Sequence, residues 1–116
     1  MDMQVEDLAD GVTNVALRGR LDTVGAGAID LKFNAVAGSK RAIVVDMAGV
    51  SFLASLGIRV LVLGAKAVRN KGGKLVLLSP DENAYAVLKT SGIDEIIPIL
   101  FDRAEAIAAV RPAQPA

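Results

Sequence analysis

The sequence predicts a single α/β domain built on a central, mostly parallel sheet of four to five strands. Short apolar runs alternate with segments whose apolar residues recur every three or four positions, as strands and amphipathic helices do. Their order is ββαβαβαβα, which implies an N-terminal hairpin followed by parallel strands joined by about four helices. No linker-like stretch or repeat divides the 116 residues. We therefore expect one domain over 1–111 and a disordered tail at 112–116.

The N-terminal third is expected to form the hairpin and the first helix. Two short strands at 3–8 and 12–17 are joined through Ala9-Asp10-Gly11. After them, Thr23 can cap a helix that ends near Gly38. Within this helix, a stripe of apolar residues recurs at helical spacing: Ala26, Ile29, Phe33, Val36 and Ala37.

The middle of the chain is expected to form a buried strand, a loop and a long helix. The run 42–45 is entirely apolar and precedes Asp46, which is typical of a strand buried on both faces. The segment 47–54 is predicted to be a loop. Ser55 can cap the next helix, which continues to about Asn70.

The last third is expected to complete the sheet and its cover. The elements are a buried strand at 74–78, a helix opened by Ser79-Pro80, a short strand at 96–99 and a helix over about 103–110. The strand at 96–99 is expected at an edge of the sheet, because Pro98 has no N–H to donate to a neighbouring strand.

The composition excludes several classes of protein. The chain has no cysteine and no histidine, so it cannot form a disulfide scaffold, a cysteine-ligated zinc site or a serine–histidine triad. Thirteen Lys and Arg balance thirteen Asp and Glu, which leaves no net field to attract nucleic acid or an anionic membrane. No secretory signal and no apolar run of membrane-spanning length is visible. We expect a cytoplasmic protein without cofactor, nucleic-acid partner or membrane insertion.

One segment stands apart as a candidate site. Residues 46–59 follow the carboxyl end of a buried strand, where open α/β sheets place their ligand sites. Val50, Phe52 and Leu53 within it are too apolar for an ordinary solvated loop. Ser55 is expected to act as a helix cap worth about 1 kcal/mol. A phosphate on Ser55 would also be tolerated, because the N–H groups and dipole of a helix start favour an anion. The residues alone leave both interpretations of Ser55 open.

Five segments spread over almost the whole chain resemble a known family. They are Gly19-Arg-Leu-Asp22, the strand ending at Asp46, Phe52-Leu-Ala-Ser55-Leu-Gly57, Gly72-Gly73-Lys-Leu-Val-Leu-Leu78 and Leu88-Lys-Thr-Ser-Gly92. Together they resemble the STAS family, which includes the anti-sigma factor antagonists of bacterial partner-switching systems. The resemblance runs from about Val5 to Val110.

The resemblance implies a function in binding rather than in catalysis. In such antagonists, a serine or threonine at the start of the second helix is phosphorylated by a kinase that is also the anti-sigma factor. The unphosphorylated antagonist binds that kinase and frees the sigma factor, whereas the phosphorylated form is released. Ser55 matches the phosphoacceptor and Asp22 matches an acidic residue beside it. A phosphatase that resets Ser55 would complete the cycle.

The partner surface is expected to surround Ser55. We expect it to include Asp22, Thr23, Leu53, Ala54, Leu56, Gly57 and Arg59. Leu53 and Leu56 are expected to be exposed at its centre, with Gly57 allowing close approach. Asp46 and Ser55 should lie at the carboxyl edge of the sheet, with Asp22 close by.

The sequence departs from the family pattern immediately before Ser55. The pattern often reads Asp-Ser-Ser-Gly, whereas this chain has Ala54-Ser55-Leu56-Gly57, and Asp22 is expected to substitute in part for the missing carboxylate. One alternative is therefore a constitutive, unphosphorylated STAS module in a larger regulatory or transport complex. Another is a small enzyme that uses Asp22 and Asp46 as an acid–base or magnesium pair.

Overall fold

A computed structural model describes residues 1–112 and shows a five-stranded sheet in the order β1-β2-β3-β4-β5. The elements are β1 (Asp2–Asp7), β2 (Thr13–Leu21), α1 (Thr23–Ser39), β3 (Ala42–Leu53), α2 (Ser55–Asn70), β4 (Lys74–Leu78), α3 (Glu82–Thr90), β5 (Ile99–Leu100) and α4 (Arg103–Val110), with 3-10 turns at Ala9–Gly11 and Ile93–Glu95. β1 and β2 are antiparallel, and the other neighbouring strands are parallel. The predicted fold class and element order are confirmed. The predicted tail lies outside the described residues, apart from Pro112.

Helices cover both faces of the sheet. α1, α2 and α3 cover one face, where the larger core forms around Phe33 and Leu61. Among the described residues 1–112, α4 is the helix that covers the other face, over a smaller core of Val12, Ala42, Val44, Val76, Leu78, Ala106 and Val110. The side chains at 42–45 are fully buried and alternate between the two cores, which confirms the strand predicted there. None of the helices within residues 1–112 combines the length and apolar character that a membrane crossing requires.

The segment 47–54, expected to be a loop, is mostly the second half of β3, which ends at Leu53. β2 is long enough to pair with this half as well, with Leu21 opposite Leu53. The register shifts beside Gly19, whose φ of 109° is one that glycine tolerates. Val50 and Leu53 are therefore buried strand residues. The loop prediction is wrong because this half of β3 is held by its pairing with β2, and such pairing is not visible in the sequence of 47–54 itself.

Two helix caps lie one residue before their predicted positions. Asp22, rather than Thr23, caps α1, because its carboxylate accepts a hydrogen bond of 2.9 Å from the N–H of Gly25. A carboxylate and a hydroxyl stand next to each other here, and both are good caps, so the local pattern does not decide between them. At α2 the N-cap is Ala54, and no side chain caps the helix. The prediction that Ser55 caps α2 is wrong.

The last third keeps the predicted order but shifts two boundaries. α3 begins at Glu82 behind an Asp81 cap, rather than at Ser79-Pro80. β5 pairs with the end of β4 and lies at the edge of the sheet, which confirms its predicted position. It begins only at Ile99, and the preceding Pro98 contributes its carbonyl, which accepts a hydrogen bond of 2.9 Å from β4.

Candidate functional site

The ends of β2 and β3 place Asp22 and Ser55 at the same edge of the sheet. Leu21 lies opposite Leu53 in the parallel ladder, and the N–H of Ala54 donates to the carbonyl of Leu21 across 3.0 Å. Asp22 follows Leu21 as the N-cap of α1, and Ser55 follows Ala54 as the first residue of α2. The expected proximity of Asp22 to Ser55 is therefore confirmed.

Asp46 does not belong to this site. It lies seven residues before Leu53 in β3, which corresponds to about 20 Å of strand. Its carboxylate accepts hydrogen bonds from Arg103 Nη2 at 2.6 Å and from the N–H of Ala48 at 3.0 Å. Asp46 lies opposite Leu78, at the carboxyl end of β4, but β3 continues well beyond it, so the carboxyl edge that Asp46 was expected to share with Ser55 is not a single level of the sheet. Asp22 and Asp46 form no acid–base pair, and no cluster of potential metal ligands occurs in the described residues.

Ser55 presents an exposed hydroxyl at the start of α2. Within residues 1–112, its side chain takes part in no hydrogen bond. The first hydrogen bond of the helix runs from the N–H of Ile58 to the carbonyl of Ala54 at 3.0 Å. The N–H groups of Ser55, Leu56 and Gly57 thus have no acceptor within the helix. In the part of the chain that the structure describes, the hydroxyl is accessible for modification and three backbone N–H groups without an acceptor lie beside it.

The carboxylate of Asp22 is held by contacts other than Ser55. One oxygen accepts the hydrogen bond from Gly25, and the other lies 3.2 Å from Arg20 Nε. The hydrogen bond from Gly25 and, to a smaller extent, Arg20 lower the pKa of Asp22 below its usual 3.8. Arg20 also lies over the ring of Phe52, 4.3 Å from its centroid. No hydrogen bond joins Asp22 to the Ser55 hydroxyl in the described part of the chain, so Asp22 contributes charge without replacing the missing neighbouring carboxylate.

The residues expected to form the partner surface divide into exposed and buried groups. Thr23, Leu56 and Arg59 are exposed, Asp22 and Ala54 are half-buried, and Leu53 and Gly57 are buried. Leu53 is only 5% exposed because its side chain points from the strand end into the larger core. Gly57 packs against Leu21, whose carbonyl would lie 2.6 Å from an added Cβ. The expectation that Leu53 is exposed is wrong, and the close approach that Gly57 allows is that of Leu21.

A groove of about 330 Å³ lies between α1 and α2 beside the start of α2. Its walls include Thr23, Gly27, Asp30 and Asn34 from α1 and Leu56, Arg59 and Leu63 from α2. Leu56 and Leu63 are each 43% exposed. Leu63 was not expected in the site, although its distance of seven residues from Leu56 places both on one side of the helix. The groove extends the exposed surface from the first turn of α2 along both helices.

Comparison with known proteins agrees with this geometry. A family model of the STAS domain matches residues 5–106. The chain belongs to the STAS family. BtrV of Bordetella bronchiseptica, which is assigned as an anti-sigma factor antagonist, is 31% identical over 110 residues, which cover 94% of this chain and 95% of that protein. The family predicted from the sequence is confirmed.

Solved structures of antagonists share the fold. An anti-sigma factor antagonist from Mycobacterium paratuberculosis is 28% identical, with a TM-score of 0.85 over 96% of this chain and 94% of that one. The antagonist SpoIIAA in its unphosphorylated form is 22% identical, with a TM-score of 0.79 over 98% of this chain and 100% of that one. The phosphorylated form of the Bacillus protein SpoIIAA matches with 22% identity and a TM-score of 0.71, over 93% of this chain and 98% of that one.

Proposed function

We propose that this protein is an anti-sigma factor antagonist that switches partners by phosphorylation. In its unphosphorylated form it binds an anti-sigma factor that is also a serine kinase, and phosphorylation on Ser55 releases it. Such a switch acts in the cytoplasm, where sigma factors and ATP are found. Relatives that carry the name anti-sigma factor antagonist support the class of partner. The observation that carries the proposal is the exposed, unbonded Ser55 hydroxyl beside the α1–α2 groove.

The chain supplies only the acceptor for phosphoryl transfer. The Ser55 oxygen forms a bond to the γ-phosphorus of ATP, the bond from that phosphorus to the β–γ bridging oxygen breaks, and ADP leaves. The hydroxyl proton passes to a base on the kinase. The partner supplies ATP, magnesium and that base. A phosphatase that hydrolyses the phosphoserine returns the protein to its binding form.

Phosphorylation is expected to break the complex without unfolding the antagonist. The partner surface next to Ser55 includes the exposed apolar part of Leu56. In the complex, the partner covers Leu56, so a phosphate on Ser55 with a charge of about −1.5 to −2 would lose its water. This desolvation costs more free energy than the apolar contact with the partner can offset. The unpaired N–H groups at the start of α2 accommodate the same charge in the free protein. Binding and folding therefore respond differently to one modification.

A constitutive STAS module is the second candidate function, and one observation favours it. Ala54 has no carboxylate to orient the Ser55 hydroxyl, and the nearby Asp22 is held by Gly25 and Arg20 instead. In such a module the surface around Leu56 binds its partner permanently, and Ser55 is never modified.

The test is the intact mass of the protein after incubation with the candidate kinase, ATP and magnesium. We expect the addition of one phosphoryl group, located on Ser55 by peptide sequencing. Ser55→Ala should abolish the addition. Ser51→Ala is the matched control, because Ser51 is also an exposed serine and lies four residues earlier, near the end of β3. We expect this variant to gain the phosphoryl group as the parent does. An unchanged mass, with a kinase shown to be active on another antagonist, would establish the constitutive module instead.

A further inference from the structure

Ser55 and Arg59 lie on the same face of α2, one helical turn apart. Both residues are exposed, and residues four apart on a helix have Cβ atoms about 5–6 Å from each other. Helical side chains lean towards the N-terminus of their helix, a direction that brings the side chain of Arg59 within reach of the turn that contains Ser55. An acid that precedes a base by four residues is also the favoured order for an ion pair on a helix.

Arg59 is an exposed cation that lines the groove beside the start of α2. Within residues 1–112 it belongs to no ion pair, whereas Arg20 is bound to Asp22 and lies over Phe52. Arg59 lines the groove together with Asp30 of α1 and forms no salt bridge with it. The guanidinium is therefore free to move to a new anion.

We propose that Arg59 is the intramolecular partner of the phosphate on Ser55. The proposal rests on the proposed function, because it requires that phosphate. The planar guanidinium donates two charge-assisted hydrogen bonds to the phosphate oxygens, a geometry that lysine cannot reproduce. Phosphorylation then changes two charges on the partner surface, since it adds an anion at Ser55 and withdraws the Arg59 cation from the groove.

The experiment uses protein with phosphoserine incorporated at position 55 during translation, so that no kinase is needed. Phosphorus NMR gives the second pKa of the phosphate, which is ordinarily about 6. We expect this pKa to be about half a unit lower in the parent than in Arg59→Gln, which corresponds to about 0.7 kcal/mol. Asp22, Asp30 and Arg20 also face this end of α2, and they are the same in both proteins.

Two further variants separate a specific pair from general electrostatics. Lys66→Gln removes an exposed charge from the same helix three turns away and should leave the phosphate pKa unchanged. Arg59→Lys should restore only part of the shift. In the parent, the Nε–H signal of Arg59 should shift when the phosphate is present and should exchange more slowly with water. Equal phosphate pKa values in the parent and Arg59→Gln, or an Arg59 signal that ignores the phosphate, would overturn the proposal.

The two proposals fail separately. If no kinase modifies Ser55 but the incorporated phosphate still titrates in an Arg59-dependent way, the phosphorylation switch is wrong and the Ser55–Arg59 pair stands. If the kinase modifies Ser55 and the phosphate pKa ignores Arg59, the switch stands and the pair is wrong.

Discussion

The carbonyl of Leu21 accepts a hydrogen bond from the N–H of Ala54 across 3.0 Å, and this bond joins the start of α1 to the start of α2. It extends the ladder between β2 and β3 by one step beyond Leu53. Because the bond involves backbone atoms only, it holds the candidate site together whatever side chain stands at position 55. The behaviour of variants around it follows from which side chains face outward and which face the core.

Replacement of Ser55 by alanine should leave stability unchanged. Ser55 is exposed and is not the cap of α2, so we expect the free energy of unfolding to change by less than about 0.5 kcal/mol. Asp22→Ala should destabilise the protein more than Ser55→Ala, because Asp22 does cap α1. Urea unfolding of the two variants provides the comparison. A larger loss for Ser55→Ala than for Asp22→Ala would mean that the serine hydroxyl has a structural role.

Gly57→Ala should destabilise the fold by about 1–3 kcal/mol. The added methyl group would lie 2.5 Å from the Leu21 Cγ and 2.6 Å from the Leu21 carbonyl, a backbone atom that cannot move away without breaking the bond to Ala54. Gly38→Ala is the matched control, since within residues 1–112 no atom beyond its own stretch of helix lies within 4 Å of its added Cβ. The control should be stabilising by up to about 1 kcal/mol, because alanine favours helix. Thermal unfolding would decide, and equal behaviour of both variants would contradict the packing described here.

Leu56→Ala should weaken binding of the anti-sigma factor by about tenfold or more, since burying a leucine side chain in an interface is worth about 1.5–3 kcal/mol. Its stability should stay close to that of the parent. The control is Leu31→Ala, which removes a leucine that is 86% exposed on α1 and does not line the groove. Isothermal titration with the partner gives both affinities. If the two variants bind alike, the partner does not use the surface beside Ser55.

Arg103→Ala should destabilise the protein by about 1–3 kcal/mol and leave partner binding intact. Arg103 donates to Asn14 at 2.9 Å and to Asp46 at 2.6 Å, and Asn14 is only 8% exposed. Its loss leaves a buried amide oxygen without its donor, on the face of the sheet opposite α1 and α2. Unfolding and binding assays on one preparation test both halves of the prediction. Weaker binding at unchanged stability would place a partner contact on the α4 side.

Stability should fall as the pH drops below 4, and Asp22 should contribute to the fall. Hydrogen bonds hold the pKa of Asp22 and of Asp7 below their usual 3.8, from Gly25 to the first and from Thr13 to the second. A depressed folded-state pKa gives stability that is present above the unfolded-state value and lost as the pH falls through the folded-state value. Asp22→Asn should flatten this part of the curve of unfolding free energy against pH. An unaltered curve would show that the carboxylate titrates alike in both states.

Most of the fold could be predicted from the sequence because the central strands are continuous apolar runs and because α2 and α3 have clear apolar and polar faces. The second half of β3 could not, since it depends on β2, whose last residues supply its pairing. A loop at 47–54 would leave the side-chain directions within it undetermined. Successive side chains of a strand point to opposite faces of the sheet. Without the strand and its register, nothing in the sequence assigns Leu53 to the core rather than to the surface.

Of the candidate site, the sequence predicts the position of Ser55 but neither the residue that caps α2 nor the groove beside it. The residues alone place Ser55 at the start of α2, and the family resemblance adds the match to a phosphoacceptor; the exposed position of Ser55 at the start of α2 agrees with both. The expectation that Ser55 caps α2 is wrong, because the cap is the first residue outside helical geometry. In α2 that residue is Ala54, whose methyl side chain cannot accept a hydrogen bond and so gives no capping pattern in the sequence. The groove is not predictable from the sequence, because it forms only where α1 and α2 lie side by side, and neither helix specifies that arrangement alone.

The smaller core beneath α4 lies on the opposite face of the sheet from the surface around Ser55. Substitutions there can therefore alter how much folded protein a cell maintains, since a change of 1–2 kcal/mol shifts abundance several-fold. They would do so without touching the affinity for the partner. Under the proposed function, the effect of the antagonist depends on the ratio of antagonist to partner as much as on their binding constant. Substitutions on the α4 face can therefore change the cellular amount of the antagonist, whereas substitutions on the face around Ser55 can change its affinity for the partner.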